Sequence, residues 1–203
     1  ASWWDYGDWL GMFGNVTPLC DNTTTNTTQI ENVAYAMMAN ENQSLKMLSN
    51  YDTQYILVFV VLQLQIGSDG SLSGVKMSGY GDEGKWYWMA RISGEAQSRL
   101  STSESFGTQW MTPEYSWTNE TYFGNATTSG TSQSFTWNDV GLNCTIYELM
   151  NYAEQRWANQ YGVTASDQAA TVPSYITPAY IAGMEVDPQT AYYYYGSLVP
   201  LVA

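Results

Sequence analysis

The sequence predicts an α+β fold, in which a mixed helical core lies beside a small sheet. Apolar residues recur at a helical spacing of about 3.6 within 30–38 and again within 142–157. An apolar run at 55–66 ends in strict alternation of apolar and polar residues, which indicates a strand with one wet face. A stretch rich in Ser, Thr, Gly and Asn interrupts these patterns, so we also expect an inserted, β-leaning peripheral unit.

Helices are expected at four places along the chain. The first long helix is predicted to begin at Thr27 or Thr28, because threonine is a favoured N-cap. A shorter helix follows at 41–50, and Gly84 weakens the start of a third at 82–92. The fourth is the clearest, since one apolar stripe runs along it: Leu142, Ile146, Leu149, Met150, Ala153 and Trp157.

The strands are expected to form a hairpin. The first strand is predicted at Tyr55–Ile66, and its first half is apolar enough to be buried. Asp69-Gly70 is a turn signal, and residues 72–77 have the length and pattern of a returning arm.

Length and composition favour one domain over residues 1–203. Its core is predicted at 1–94 and 142–203, while 95–141 is predicted to be the insertion or peripheral unit. From Val172 on, prolines and a run of tyrosines predict extended segments that pack on the core.

Charge and composition exclude several classes of function. The chain has 19 acidic residues, 6 basic residues and no histidine, with a net charge of −13. Such a surface repels phosphate backbones, so no nucleic-acid partner is expected. Without histidine there is no His-based triad and no His-ligated metal site. The most apolar run is far shorter than the roughly 20 residues that cross a bilayer.

Cys20 and Cys144 leave two possibilities open. We expect one disulfide, which would close a very long loop and stabilise the fold by about 4–5 kcal/mol in the chain-entropy model. The alternative is a pair of buried thiols, which are common in protein cores.

The pattern Asn-x-Ser/Thr occurs more often than the composition predicts by chance. This excess favours a chain that is exposed to an N-glycosylation system, and therefore a location outside the cytoplasm. The seven positions are Asn15, Asn22, Asn26, Asn42, Asn119, Asn125 and Asn143.

Two short motifs resemble those of one enzyme family. Residues 3–7 read Trp-Trp-Asp-Tyr-Gly, which matches the WWDYG signature of oligosaccharyltransferase catalytic subunits. Downstream, Asp82-x-x-Lys85-x-x-x-Met89 resembles the DK motif of that family and follows in the same order. The chain thus resembles the C-terminal soluble domain of an archaeal, AglB-like oligosaccharyltransferase.

The resemblance is strong over 1–92 and weaker at 142–162, and it implies a function. The family transfers an oligosaccharide from a lipid-linked donor to the asparagine of an Asn-x-Ser/Thr acceptor. The implied partners are an acceptor peptide or protein and the lipid-linked oligosaccharide, at the extracytoplasmic face of the cell membrane. The family's catalytic carboxylates and divalent metal, Mn or Mg, belong to its membrane part. No catalytic residue, metal site or cofactor is therefore expected in this sequence.

In this family the first motif recognises the Ser or Thr of the acceptor, and the residue chemistry agrees with that role. The indole N–H groups of Trp3 and Trp4 only donate, while the carboxylate of Asp5 only accepts. Together they satisfy one hydroxyl group. If the acceptor carried an apolar residue instead of Ser or Thr, these polar groups would be buried without a hydrogen-bond partner. Sites of this kind strongly reject such an acceptor.

Five further residues are expected to support the site. Lys85 and Met89 complete the pocket: Met89 contacts the threonine methyl group, and Lys85 holds either a backbone carbonyl or the carboxylate of the first motif. Tyr6 and Gly7 belong to the first motif. Asp82 is expected to position its helix rather than to touch peptide.

Two other functions remain open from the sequence. The aromatic residues, with Asp5 and Asp8, suggest a secreted carbohydrate-binding module or glycoside hydrolase. A hydrolase, however, needs two carboxyl groups set about 5–9.5 Å apart. The acidity and the sequons also suggest a surface-layer structural protein, which predicts self-assembly and no peptide site.

Overall fold

A computed structural model describes residues 1–78, 80–86, 88–93, 122–129 and 132–167. Within these residues the predicted α+β class is confirmed, since helices pack beside a three-stranded sheet and a two-stranded sheet is also present. None of the described helices is long and apolar enough to span a membrane. The extended tail predicted from Val172 on lies outside the described residues.

The described elements alternate between helical and β segments. The helices are α1 (Gly7–Gly14), α2 (Thr27–Met38), α3 (Glu41–Ser49), α4 (86 and 88–93), α5 (Asp139–Leu142) and α6 (Thr145–Tyr161). The strands are β1 (Leu62–Ile66), β2 (Leu72–Met77), β3 (Phe123–Ser129), β4 (Ser132–Trp137) and β5 (Thr164–Ala165). Short 3-10 turns precede α1 and α4, at Trp4–Tyr6 and Asp82–Gly84.

The N-cap of α2 is Asn26, one residue before the predicted Thr27. Its side-chain oxygen accepts a hydrogen bond from the backbone N–H of Gln29 at 3.1 Å. Asparagine is the stronger capping residue, so it takes this position. The helix is buried on most sides, because α3 and α6 both pack against it.

The predicted hairpin is confirmed at its turn and in its returning arm. Strands β1 and β2 pair antiparallel, with Leu62 opposite Met77. In the turn between them, Gly70 has a φ of +81°, which glycine adopts without strain. Strand β5 joins β2 in parallel, with Gly74 opposite Thr164, so the sheet order is β1-β2-β5.

The strand predicted at Tyr55–Ile66 is wrong in its first half, since β1 covers only Leu62–Ile66. The backbone of residues 55–61 forms hydrogen bonds with loop segments instead. The backbone N–H of Phe59 donates to the carboxylate of Asp82 at 2.8 Å, and the backbone N–H of Asp82 donates back to the Phe59 carbonyl at 2.7 Å. The run has the β-forming composition of a strand, but its neighbours in space are not strands.

Helix α6 lies between the other helices and the sheet. It packs against α2 and also against β2 and β5. At its start, Thr145 donates from both its N–H and its hydroxyl to the carbonyl of Ala39, at 2.8 and 2.9 Å. These bonds tie the end of α2 to the beginning of α6, across more than a hundred residues of chain.

Strands β3 and β4 pair antiparallel inside the segment 95–141, for which β character is predicted. The base of this pair reaches the core. Tyr122 is buried, and the ring centroid of Trp137 lies 4.5 Å from that of Tyr147 and 5.7 Å from that of Trp86. The division of the chain into a core and an insertion stays a prediction.

Both cysteines are free and buried, so the predicted disulfide is wrong. Cys144 is the N-cap of α6, and Cys20 donates its S–H to the backbone oxygen of Ser2 at 3.5 Å. Burial raises the pKa of Cys20 to about 11 and that of Cys144 to about 12. Disulfide chemistry requires a thiolate, and these thiols stay neutral at ordinary pH. The alternative of two buried thiols therefore holds.

We expect both thiols to be unreactive towards a thiol reagent such as Ellman's reagent in the folded chain. After unfolding in denaturant without reductant, we expect two reactive thiols per chain, because no bond has to be broken first. Absorbance of the released chromophore measures both states. No reactive thiol in the unfolded, unreduced chain would contradict the structure and restore the disulfide.

Helices α6 and α3 each bury one acidic residue, Glu148 and Glu41 respectively, and the two charges interact. Glu148 and Glu41 are 5% and 7% exposed. Burial, and then the charge of Glu41, raises the pKa of Glu148 from 4.5 to about 7. Since the folded pKa exceeds the unfolded one, the folded state favours the protonated carboxyl. Its contribution to stability is complete below about pH 4.5 and is lost as the pH rises through about 7.

We therefore expect the free energy of unfolding to fall between about pH 5 and about pH 7.5, and Glu148→Gln to remove on the order of 2 kcal/mol of that fall. Urea unfolding at each pH measures it. Asp52→Asn, at an exposed position, is the control and keeps the wild-type slope. A Glu148→Gln chain with the wild-type slope would show that another group carries the titration.

Candidate functional site

The first motif forms a tight turn that leads into α1. Trp4–Tyr6 is one 3-10 turn, and α1 continues it from Gly7. The backbone of Cys20 and Asp21 passes directly over this glycine, and a Cβ there would lie 2.2 Å from the carbonyl oxygen of Cys20. Only a residue without a side chain permits this approach. The close crossing accounts for the last residue of the motif.

Lys85 joins the second motif to the first. Its ammonium group forms an ion pair with Oδ2 of Asp5 and donates to the hydroxyl of Tyr6 at 2.8 Å. The same nitrogen lies 3.7 Å from Oδ1 of Asp82 and 4.4 Å from the centroid of the Tyr6 ring. Of the two partners expected for Lys85, the structure selects the carboxylate of the first motif.

Asp82 holds this cluster in place from its buried side. Its side chain is almost wholly buried, and it accepts from the Tyr6 hydroxyl and from the Phe59 backbone N–H, each at 2.8 Å. Burial raises the pKa of Asp82 to about 6, although the two hydrogen bonds and the charge of Lys85 act in the opposite direction. Asp82 therefore positions its neighbours, and its buried side chain is not accessible to a ligand.

Asp5 keeps one oxygen without a partner. Its Oδ2 is held by Lys85, while Oδ1 is covered and accepts no hydrogen bond from any described residue. With its amide assigned so that the nitrogen faces these groups, Asn22 donates to the backbone carbonyls of Trp4 at 3.0 Å and of Asp5 at 3.2 Å. An unpaired, covered carboxylate oxygen costs about 1–3 kcal/mol until a donor reaches it.

The two tryptophans of the motif have different environments. Trp3 is 3% exposed and belongs to the apolar core, as does Met89, which is 0% exposed. Trp4 is half-buried at the edge of that core, with its ring centroid 6.3 Å from that of Trp3. The direct contacts expected of Trp3 and Met89 with a ligand are therefore not available in this structure, because both side chains fill the core.

Two residues of this cluster are missing from the sequence prediction. Asn22 supports the turn, but in the sequence it stands out only as a sequon. Phe59 supplies its backbone to Asp82, and its ring centroid lies 5.9 Å from that of Tyr6, but in the sequence it is one residue of an apolar run. Both contacts involve backbone groups of another segment of the chain. The backbone is nearly the same for every residue type, so the sequence gives no signal of these contacts.

We expect Tyr6→Phe to lower the free energy of unfolding by about 1–3 kcal/mol, because Asp82 then loses the hydroxyl that donates to Oδ1. The same change should raise the pKa of the Asp82 carboxyl above about 6, since that bond favours its ionised form. Denaturant unfolding and carbon NMR of the carboxyl group measure the two effects. Tyr80→Phe, at a position 84% exposed, is the control and should change neither. An unaltered pKa in Tyr6→Phe would contradict the bond.

Comparison with known proteins identifies relatives of one kind. The chain is 31% identical over 151 residues to dolichyl-diphosphooligosaccharide–protein glycosyltransferase subunit stt-3 of Caenorhabditis elegans, over 74% of this chain and 16% of the relative. It is 39% identical over 93 residues to subunit STT3 of Saccharomyces cerevisiae, and 34% identical over 93 residues to subunit STT3B of Oryza sativa subsp. japonica. Each of these two matches covers 46% of this chain and 11% of the relative.

The chain thus spans about a tenth to a sixth of the length of these relatives. No protein-family model matches it. The homologues of this chain are subunits of dolichyl-diphosphooligosaccharide–protein glycosyltransferase, and this similarity supports the oligosaccharyltransferase family for the chain.

Proposed function

We propose that this chain recognises the acceptor sequence Asn-x-Ser/Thr for an oligosaccharyltransferase. The observation that carries the proposal is the unpaired Oδ1 of Asp5, in a carboxylate whose other oxygen is held by Lys85; Oδ1 is covered in this structure, so neighbouring groups have to move before a ligand reaches it. A carboxylate only accepts, so its missing partner is a donor such as the hydroxyl of Ser or Thr. The half-buried Trp4 beside it has an indole N–H that donates, and it supplies the complementary contact to the same hydroxyl.

Selectivity for a hydroxyl follows from this arrangement. The ion pair with Lys85 orients the Asp5 carboxylate, although 29% of that side chain remains exposed. An Ala or Val at the acceptor position leaves Oδ1 unpaired, at a cost of about 1–3 kcal/mol. This cost corresponds to a preference of roughly 5- to 150-fold for the acceptor that carries the hydroxyl.

The reaction of the whole enzyme is part of the proposal. The relatives' names describe transfer from a dolichyl-diphosphooligosaccharide to protein. We assign this chain the acceptor and leave the lipid-linked donor and the bond-forming groups to the remainder of such an enzyme. The extracytoplasmic location and the archaeal, AglB-like type belong to the same proposal, and the relatives named above come from eukaryotes.

The described residues do not fit the divalent metal that the resemblance implies. Among them, no three or more Asp, Glu or Cys side chains converge closely enough to hold an ion. At the candidate site, Lys85 already takes the place that a cation would occupy between Asp5 and Asp82. Recognition of the acceptor is therefore derived without a metal, and Mn or Mg remains a proposal for the rest of the enzyme.

We expect Asp5→Ala, made in an oligosaccharyltransferase that carries this sequence, to abolish use of an Asn-x-Thr peptide while donor binding stays unchanged. The reason is that, of the two substrates, only the acceptor would contact this carboxylate. Glycopeptide formation and donor binding are measured separately. Asp8→Ala is the matched control, because Asp8 is exposed on α1 and lies outside the motif.

If the Asp5→Ala enzyme glycosylates the peptide as well as the wild type does, the proposal is wrong. Tight binding of this chain to free glycans, with no preference for Asn-x-Thr over Asn-x-Val peptides, would favour the carbohydrate-binding alternative instead. Ordered self-assembly without peptide binding would favour the surface-layer alternative.

A further inference from the structure

Glu154 of α6 is a buried acid at the place where α6, β2 and β5 pack together. The residue is 0% exposed. One of its carboxyl oxygens, Oε1, accepts hydrogen bonds from the backbone N–H groups of Ser166 at 2.9 Å and Asp167 at 3.2 Å. The other oxygen, Oε2, is covered and accepts no hydrogen bond from any described residue. One half of this carboxyl group is therefore satisfied as an acceptor, and the other half is not.

The side chain that contacts the carboxyl group of Glu154 is a second acid, Asp167. Oδ2 of Asp167 accepts from the backbone N–H of Met77, the last residue of β2, at 2.8 Å. A side-chain hydrogen bond joins Asp167 to Glu154. An ionised carboxylate only accepts, so two carboxyl groups form such a bond only when one of them carries a proton. The proton belongs on Glu154, because this residue is the more deeply buried of the two and its Oε2 has no donor.

We propose that Glu154 and Asp167 form a pH-sensitive latch, a shared-proton contact that holds residues 164–167 against α6 and β2. In the closed latch, the neutral carboxyl of Glu154 donates its proton to the carboxylate of Asp167. When Glu154 loses this proton to solvent, two negative charges meet in a site that contains few compensating groups, and the contact opens. The latch includes no residue of the candidate acceptor site, so it does not depend on the proposed function.

Strand β5 needs such a contact because its pairing with β2 is short. The described pairs are Gly74 with Thr164 and Val75 with Ala165. Beyond them, the N–H of Ser166 also donates to the carbonyl of Val75 at 2.9 Å, and its hydroxyl donates to the side chain of Gln65 at 2.7 Å. Residues 164–167 are thus held mainly by separate bonds to side chains and loops. Opening the latch removes the bonds that reach α6.

The basic residues of β2 and α6 do not face this pair. Lys76 follows the buried Val75 on β2, so it lies on the opposite face of the strand. Arg156 is exposed and lies two residues after Glu154, a spacing at which helical side chains do not meet. The other titratable residues on α6, or on the helices packed against it, are Tyr147, Glu148, Tyr152 and Tyr161 of α6, Glu31 and Tyr35 of α2, and Asp139 of α5.

The direction of the pH effect follows from the burial of Glu154. Burial raises the pKa of Glu154 from 4.5 to about 7; the charge of Asp167 and the side-chain bond act in the same direction, whereas the two backbone N–H groups oppose them. Tyr147 contacts the same pair electrostatically, and burial and then both acids raise the pKa of its hydroxyl. Since the folded pKa of Glu154 exceeds the unfolded one, the latch is complete below about pH 4.5 and is lost as the pH rises through about 7.

The test is amide hydrogen exchange of the whole chain, measured by NMR between about pH 5 and about pH 8. We expect the protection factors of the Ser166 and Asp167 N–H groups, corrected for intrinsic exchange, to fall at least about tenfold, because each unit of pKa shift changes the opening equilibrium tenfold. Glu154→Gln keeps an acceptor oxygen and adds a permanent donor, so both N–H groups should stay protected at every pH. Glu148→Gln is the matched control: it removes the other raised pKa of α6 and should keep the wild-type fall at these two groups.

Asp167→Asn is a second variant that preserves the bond to Met77, because its amide oxygen still accepts. Its amide nitrogen donates to Glu154 and favours the ionised carboxylate, so carbon NMR should show a lower pKa for Glu154 and the fall should move to lower pH. Four outcomes would overturn the latch: wild-type protection that does not depend on pH, the same fall in Glu154→Gln, a wild-type Glu154 carboxyl that titrates near its ordinary value of 4.5, or loss of the fall in Glu148→Gln, which would assign the titration to Glu148.

Discussion

The ammonium of Lys85 is the charge on which the candidate site depends. It lies between Asp5 and Asp82, and without it two carboxylates would face each other in partly buried surroundings. The side chains of Lys85 and Asp5 are 27% and 29% exposed, so their pair contributes less than a fully buried one, but removing the lysine would leave the buried Asp82 without its counter-charge. One cation therefore helps to hold three segments together: the turn of the first motif, the start of α4 and the backbone at Phe59.

Helix α6 buries two further acidic residues. Burial raises the pKa of Glu154 to about 7, as it does for Glu148. Burial disfavours the charged form of a carboxyl, whereas backbone N–H groups that donate to it favour that form. Glu154 accepts from the N–H groups of Ser166 and Asp167, at 2.9 and 3.2 Å, and so fixes the chain after β5.

The candidate acceptor site and α1 share one short segment. The 3-10 turn at Trp4–Tyr6 leads without a break into α1, and the backbone of Cys20 and Asp21 crosses over Gly7 at their junction. A side chain at this position would displace that backbone, so the turn that carries Asp5 depends on this glycine.

The sequence by itself determined the local features of this protein. Helical spacing predicted α2, α3 and α6, the Asp69-Gly70 turn predicted the hairpin, and residues 3–7 with Asp82 and Lys85 predicted which residues meet. Side-chain periodicity and turn chemistry act within a few residues, so a single sequence displays them. Only the tertiary structure decided that 55–61 pairs with loops, that the two cysteines are free thiols, and that Trp3 and Met89 fill the core. These outcomes depend on contacts between segments that lie far apart in the sequence. The residue types within one segment do not reveal which distant segment it contacts.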